Sequence, residues 1–257
     1  MTLRIGISGI TGRVGHLVRQ EILESPEKFK LSAGLARTPV ELDVPVYGPE
    51  DLKDFCKSSD CIVDFSTPDS LKILSKLAAE TGTPIVSGTT GLSDKEYESL
   101  KSAAKKIPIV HASNMSLGIN LLQSIIEQTA RVLESNQWDI EITETHHKHK
   151  KDAPSGTALT LGESAAKGRD TLLENAGSYE RKGRDQERKT GEIGFSVRRG
   201  GDIVGEHDVY FYGPGEYIKL GHCATDRSLF AKGALHAAQW VIHQPPGLYS
   251  MKDVLSV

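Results

Sequence analysis

The stretch Glu144–Thr157, E-T-H-H-K-H-K-K-D-A-P-S-G-T, packs more proton-transfer and anion-binding groups into a short window than any other part of the chain. It holds His146, His147 and His149, then Lys148, Lys150 and Lys151, then Asp152 and a small-residue run, Ser155-Gly156-Thr157. Histidine titrates near neutrality, so it can give or take a proton at physiological pH. Lysines beside it suit an acidic substrate and would lower the histidine's pKa through charge. On composition alone a solvated basic loop is an equal alternative. A histidine metal site is a weaker one, because the lysines add positive charge and no zinc-like ligand spacing accompanies them.

The flanking residues predict how this stretch is held. Upstream, Trp138-Asp-Ile-Glu-Ile-Thr-Glu alternates apolar and polar residues, the period of a half-buried strand. Downstream, Ala158-Leu-Thr-Leu-Gly-Glu-Ser-Ala-Ala predicts a helix, with Ser155 or Thr157 as its N-cap. A strand thus delivers the titratable groups to its end, and a helix N-terminus, which favours anions, opens beside them.

The N-terminal half predicts a second binding element. Leu3–Ser8 is a strand, Gly9-Ile10-Thr11-Gly12-Arg13-Val14-Gly15 a glycine-rich turn, and the helix after it runs to about Leu23. Strand, glycine turn and helix form the opening of a dinucleotide-binding fold, although the spacing G-x-x-G-x-x-G departs from strict G-x-G-x-x-G. The second strand, Phe29–Arg37, ends in Ala36-Arg37, where an NAD-specific fold places an acid. An arginine without a carboxylate suits a 2′-phosphate, so NADPH is the expected cofactor. Strands follow at Cys61–Ser66, Pro84–Ser87 and Ile107–Ala112, with helices at about 69–81 and 94–105. This alternation predicts a Rossmann-like, doubly wound parallel α/β sheet. The strand-end loops Gly88-Thr89-Thr90 and Ala112-Ser113-Asn114-Met115 are candidates for the nicotinamide half of the cofactor. Each alone is equally an ordinary turn.

A helix over about 116–133 predicts the passage into a second domain. There the polar region Gly177–Gly191 is expected as a mobile loop. Ile193–Arg198, Asp202–Tyr212 and Glu216–Ala224 are expected, with the strand before His146, to form an open mixed or antiparallel sheet of about four strands. An open sheet face invites oligomerisation. A helix from Ser228 to about His243 should return to the first domain, followed by a Pro-Pro break and a short C-terminal helix. The expected division is 1–116 with 227–257 for the dinucleotide and 117–226 for substrate and oligomerisation.

The 257 residues carry a net charge of −3, which gives nucleic-acid binding no compositional support. No apolar run approaches the roughly 20 residues needed to span a bilayer, and no secretory signal pattern opens the chain. Cys56, Cys61 and Cys223 cannot all pair and none lies in C-x-x-C, which fits a reducing cytoplasm.

Several motifs then occur in one order: Gly9-x-x-Gly-Arg-Val-Gly, Asp64-Phe-Ser-Thr-Pro, Gly88-Thr-Thr-Gly, Ala112-Ser-Asn-Met-Ser-Leu-Gly, the run from Glu144 to Ala158, the run from Arg198 to His207, and His222-x-Ala-x-x-Arg. Together they resemble the dihydrodipicolinate reductase family, over nearly the whole chain. The resemblance implies NAD(P)H-dependent reduction of 4-hydroxy-tetrahydrodipicolinate, a cyclic imine dicarboxylate, to tetrahydrodipicolinate in diaminopimelate and lysine biosynthesis. It implies His146 as general acid/base, Lys150 as proton donor facing a substrate carboxylate, and His147, Gly156 and Thr157 as substrate contacts. Gly9, Ile10, Thr11, Gly12, Arg13, Val14 and Gly15 match the pyrophosphate loop, and Arg37 the position meeting a 2′-phosphate. Gly88, Thr89, Thr90 and Ala112–Met115 match the nicotinamide side, and Arg227 a position near the cofactor. Ala36 stands where many members carry an acid for the NADH ribose, which argues against efficient use of NADH. A homotetramer built on the second-domain sheet and closure of the domains around the ligands are further implications. A dehydrogenase of another acid, a dinucleotide sensor and a degenerate scaffold are the rival readings.

Overall fold

The computed structural model describes residues 2–183 and 187–257, which divide into two compact units: residues up to Leu117 with Arg227–Ser256, and Gly118–Asp226 with Val257.

The first unit begins with β1 (Leu3–Ser8), α1 (Arg13–Glu24), β2 (Phe29–Leu35), β3 (Val46–Tyr47), α2 (Leu52–Lys57), β4 (Cys61–Asp64), α3 (Pro68–Thr81), β5 (Ile85–Ser87), α4 (Asp94–Ala104) and β6 (Pro108–His111). α5 (Leu117–Val132) leads into the second unit, with β7 (Asp139–His146), α6 (Gly156–Gly168), α7 (Leu173–Ala176), β8 (Gly177–Ser178), β9 (Ile193–Arg199), β10 (Gly205–Gly213) and β11 (Glu216–Ala224). The chain then returns to the first unit as α8 (Ser228–Val241), β12 (Gly247–Tyr249) and α9 (Met251–Leu255).

Among the described residues the first unit carries a seven-stranded sheet, ordered β12-β6-β5-β4-β1-β2-β3 and parallel at every pairing. Its central strands are continuous apolar runs because both faces are covered. α1, α8 and α9 enclose one core, which contains Ile5, Ile7, Val63 and Leu235; α2, α3 and α4 enclose the other, around Phe55, Ile62, Leu74 and Ile109. Helix starts are set by local chemistry at the strand ends. Thr67 caps α3 with its side chain and Pro68 occupies the first turn, while Gly82 closes the helix at φ +77. Glu96 accepts both the amide and the hydroxyl of Ser93 at 2.7 Å, fixing the start of α4.

The second unit carries a five-stranded sheet, β11-β10-β7-β9-β8. β10 pairs antiparallel with β11 and β7, whereas β7–β9 and β9–β8 are parallel. Leu122 and Ile126 from α5 and Leu161 and Ala165 from α6 pack with Ile140, Ile142, Ile193 and Phe211. Each such large aliphatic side chain contributes about 1.5–3 kcal/mol.

Several sequence expectations are corrected here. The first sheet gains β3 and β12, which are two and three residues long and too short to show a period. α2, six residues long, is likewise too short to show a period. The second strand stops at Leu35, so Ala36 and Arg37 lie beyond it. β10 begins at Gly205 because residues 202–204 belong to the preceding turn region. The charged stretch 177–191 is partly outside the described residues, at 184–186. Its described parts include a short strand and ion-paired arginines. Gly177 and Ser178 pair with β9, Arg188 reaches Asp139 at 2.6 Å, and Arg181 reaches Glu141 at 2.7 Å.

Gly15 shows how closely the first turn packs. A Cβ there would lie 2.2 Å from the Gly9 carbonyl oxygen. Since that neighbour is backbone, Gly15→Ala must displace the turn or the start of α1, at a cost of about 1–3 kcal/mol. Urea denaturation of the variant should show that loss; an unchanged midpoint would mean the turn relaxes freely.

Candidate functional site

The glycine loop is shaped by positions where a side chain cannot fit. Gly9 has φ +79, and a Cβ there would lie 2.5 Å from the Phe65 carbonyl oxygen. The Gly12 amide donates to the Gly9 carbonyl at 2.9 Å. Gly12 is also the N-cap of α1, so no capping side chain competes for the helix's first amides, and its first turn has no acid. Those amides and the positive end of the helix dipole favour a phosphate. Beside them lies a cleft of about 460 Å³ lined by Gly9, Thr11, Gly12, Ala36, Arg37 and Ser66, among others. Ile10 turns its side chain into the core against Gly34, and Val14 packs partly buried against the same core. Arg13 and Arg37 are exposed.

The neighbouring strand ends are tied by one buried carboxylate. Asp64, at the end of β4, accepts hydroxyl hydrogen bonds from Ser66 at 2.6 Å, Ser87 at 2.9 Å and Thr89 at 2.7 Å. The Ser66 amide donates to the Thr89 hydroxyl at 3.0 Å. This clasp places Gly88 and Thr89 after β5, while Thr90 is exposed. A Cβ on Gly88 would overlap the Phe65 ring at 2.2 Å. The Ala112 amide bonds the Ser87 carbonyl at 3.2 Å, and Asn114 accepts the Ser116 amide at 2.9 Å. Ser113 is exposed, Met115 is buried, and Arg227 is the N-cap residue of α8. Of the cofactor residues expected from sequence, Gly9, Thr11, Gly12 and Arg37 line the cleft; Gly88–Thr90 and Ala112–Met115 follow the ends of β5 and β6.

In the second unit the strand period decides the site. Ile140, Ile142, Glu144 and His146 alternate onto the covered face of β7, with Glu144 only 1% exposed and His146 8%. An ionic carboxylate in that row must be matched by donors, since desolvating one costs several kcal/mol. Glu144 is fully matched. Arg199, at the end of β9, holds it with two nitrogens at 2.7 and 2.8 Å, His146 Nδ1 lies at 2.6 Å, and the Ser155 amide donates at 2.9 Å. Burial alone would raise the Glu144 carboxyl's pKa, but hydrogen bonds from Arg199, His146 and the Ser155 amide outweigh it, and the pKa lies below the ordinary value. Arg199 also donates to the Asp152 carbonyl at 2.7 Å, fixing the loop between β7 and α6.

Ser155, rather than Thr157, caps α6: its hydroxyl accepts the Ala158 amide at 3.1 Å. The same hydroxyl shares a 3.0 Å hydrogen bond with His207 Nε2. The rings of His207 and His146 stand edge to face at 5.1 Å. His146 has a lowered pKa, chiefly through burial; the charges of Lys150 and Arg199 lower it further, while Glu144 opposes them. The direction matches the sequence expectation, but burial rather than lysine is its main cause. Lys150 is partly exposed and pairs with Asp152 at 2.9 Å. This pairing lowers the Asp152 carboxyl's pKa, and the Gly156 amide assists. His147 and Thr157 are partly exposed beside them, and Gly156 opens the helix.

The structure therefore brings His146, His147, Lys150, Gly156 and Thr157 together at one strand–helix junction. Sequence reasoning assigned no role to Glu144, Arg199, Ser155's bond to His207, or Asp64. The signal for Glu144 was available, because an acid continues the apolar Ile140-Ile142 face.

Family models described as dihydrodipicolinate reductase, N-terminus, and dihydrodipicolinate reductase, C-terminus, match residues 3–115 and 118–255. This chain belongs to the dihydrodipicolinate reductase family. The second match runs through 227–255, which fold with the first unit. Across its full length the chain is 43% identical to the 4-hydroxy-tetrahydrodipicolinate reductase of Zymomonas mobilis subsp. mobilis, covering 98% of that protein. It is 44% identical to the reductase of the same name from Sulfurimonas denitrificans, over 99% of this chain and all of the relative. A solved structure of a dipicolinate-bound dihydrodipicolinate reductase from Paenisporosarcina sp. TG-14 shares the fold. Its TM-score is 0.81 at 24% identity, covering 97% of this chain and 98% of the other.

His207 makes the junction acid-sensitive. Burial is the main reason its pKa falls from 6.5 to about 4; the His146 charge adds to that, and Glu144 opposes it. In the folded chain His207 stays neutral down to about pH 4, whereas the unfolded chain takes up that proton below 6.5. The native state keeps this contribution above pH 6.5 and loses it as pH falls from there, by up to about 3 kcal/mol. Denaturation midpoints of the wild type and His207→Gln at neutral pH and near pH 4.5 should show the smaller acid loss in the variant.

Proposed function

We propose that this chain reduces 4-hydroxy-tetrahydrodipicolinate to tetrahydrodipicolinate with a reduced nicotinamide dinucleotide, a step of diaminopimelate and lysine biosynthesis. One observation carries the reading. In a chain similar to 4-hydroxy-tetrahydrodipicolinate reductases end to end, the His146-His147-x-x-Lys150 cluster is assembled at a helix N-terminus, with its leading histidine fixed on a buried carboxylate.

The first unit is the dinucleotide-binding domain in this reading. The residues present suit that ligand: a Cβ-free turn, an acid-free helix start and a cleft ending in Ala36-Arg37. Gly9–Gly15 would hold the pyrophosphate, Arg37 a 2′-phosphate, and Gly88–Thr90, Ala112–Met115 and Arg227 the nicotinamide side. When bound, the cofactor would supply a hydride to the conjugated C=C that the substrate gains once its 4-hydroxyl has left as water. Ala36 offers no carboxylate to repel a 2′-phosphate or to bind a ribose hydroxyl, which supports NADPH over NADH.

The second unit binds the substrate. Lys150 and the Gly156 amide already hold a carboxylate, that of Asp152, and a substrate carboxylate would take its place by the same chemistry. His147 and Thr157 complete that contact. Hydride addition builds negative charge along the enamine–imine system, which the ammonium of Lys150 stabilises electrostatically. His146 and Lys150 manage the proton that must then reach carbon or nitrogen. The exposed side chains Val197, Tyr212, Tyr217 and Ile218 on the second sheet support its use in a homotetramer. The free Cys56, Cys61 and Cys223 support a reducing cytoplasm.

The test is cofactor oxidation with substrate generated in situ by the preceding condensing step. NADPH oxidation should be fast and substrate-dependent, and NADH oxidation slower. Lys150→Ala should lower turnover by about 10²–10⁴. Ala36→Glu should raise the NADH/NADPH ratio of kcat/KM. A folded protein that oxidises neither cofactor would overturn the reading, and an unmoved ratio would remove Ala36 from selectivity. Sedimentation should give a four-chain species; a monomer would overturn the tetramer.

A further inference from the structure

We infer that Glu144, clamped by Arg199, is a positioning residue that keeps the His146 hydrogen on Nδ1 and leaves Nε2 as the nitrogen that exchanges protons. The inference rests on the proposed reductase reading and adds to it the device that selects the working nitrogen of His146.

The geometry is one-sided. Glu144 is 1% exposed and ringed by donors: two from Arg199, one from the Ser155 amide, and His146 Nδ1 at 2.6 Å. An ionised carboxylate only accepts, so Nδ1 must carry the hydrogen. Arg199 keeps the carboxylate ionised at the end of β9 and stops it from turning, since its fork fits the two oxygens. The other side of the ring faces Gly205. A Cβ on that glycine would lie 2.9 Å from His146 Nε2, so the absence of a side chain leaves Nε2 its room. His207 stands against the ring edge and limits its rotation, while its own Nε2 is engaged by Ser155.

Both protonation states fit this cradle. In the neutral imidazole Nδ1–H rests on Glu144 and Nε2 presents a lone pair. In the imidazolium Nδ1–H stays in place and only Nε2 has gained a proton. The Glu144 charge stabilises the cation and opposes the effects of burial, Lys150 and Arg199. A neutral amide at position 144 would satisfy the space but remove that charge. It could also present its NH₂ to Nδ1 and so favour the opposite tautomer.

The experiment compares the full-length wild type with Glu144→Gln. Steady-state kinetics across pH is combined with long-range ¹H–¹⁵N spectra of histidine-labelled protein. In the wild type, His146 should show a protonated Nδ1 and a bare Nε2. In Glu144→Gln, kcat should fall about 10- to 100-fold, as when a histidine loses its orienting partner, with KM changed less than about threefold. The pH–rate limb assigned to His146 should move to lower pH. A kcat within threefold of wild type with an unmoved limb overturns the inference, as does a wild-type His146 protonated at Nε2. If Glu144→Gln does not fold, as circular dichroism would show, the wild-type tautomer decides alone. A wild type that binds NADPH but never oxidises it would sink the reductase reading, while the tautomer spectrum would still judge the positioning.

Discussion

The second unit depends on where one carboxylate sits. Glu144 lies in the row of β7 that otherwise buries Ile140 and Ile142. Burying an ion there costs several kcal/mol, and burial of aliphatic neighbours at about 1.5–3 kcal/mol each gives the structure the surplus to tolerate it. The cost is limited because each donor comes from a different place: Arg199 from β9, the Ser155 amide from the start of α6, and His146 from β7 itself. A buried ion pair is weak evidence for added stability, because an apolar replacement of equal volume often does as well. What it supplies is register. The β7–β9 pairing sets His146 opposite Arg199, and only that alignment brings the guanidinium to Glu144. A one-residue slip would turn Glu144 to the uncovered face.

The first unit solves a related problem without a cation. Asp64 is fully buried at the end of β4, and three hydroxyls, from Ser66, Ser87 and Thr89, donate to it. Hydroxyl donors bring no charge and sit on short side chains, so they bind the loop after β4 to the loop after β5. Arg199 has a long reach and crosses between strands; Ser and Thr act only over neighbouring backbone. The two carboxylates thus hold their surroundings on different scales, one clasping adjacent loops and the other joining a strand, a helix start and a titratable ring.

Legibility in the sequence followed the length over which a pattern repeats. Apart from β3 and α2, the alternation of strands and helices through Ile109 is legible in apolar runs and in caps such as Thr67-Pro68 and Ser93-x-x-Glu96. β3 and β12 add only two and three residues to the sheet edges, where neighbours rather than propensity decide the structure. The His-Lys stretch announced itself by composition. Its organisation did not, because Arg199 is 55 residues from Glu144 and meets it only through strand pairing. The same holds for His207, 52 residues from the Ser155 hydroxyl it engages. Composition points to lysine charge acting on His146, yet burial is the larger influence, and burial is a property of the fold.

This ordering of causes bears on how a histidine can work among cations. If lysine charge dominated, salt would screen it and the histidine would drift with ionic strength. Burial and a carboxylate at 2.6 Å are screened far less. They also act in opposite directions, since burial disfavours the imidazolium and Glu144 favours it. The ring is therefore held between two opposing effects, and the charges of Lys150 and Arg199 make the smaller adjustment. In the proposed reading, Lys150 exchanges its partner Asp152 for an incoming carboxylate without moving the groups that set the histidine. Separation of the two proposed tasks follows from exposure: Lys150, proposed to meet the ligand, stays partly in solvent, and Glu144, proposed to hold the ring, does not.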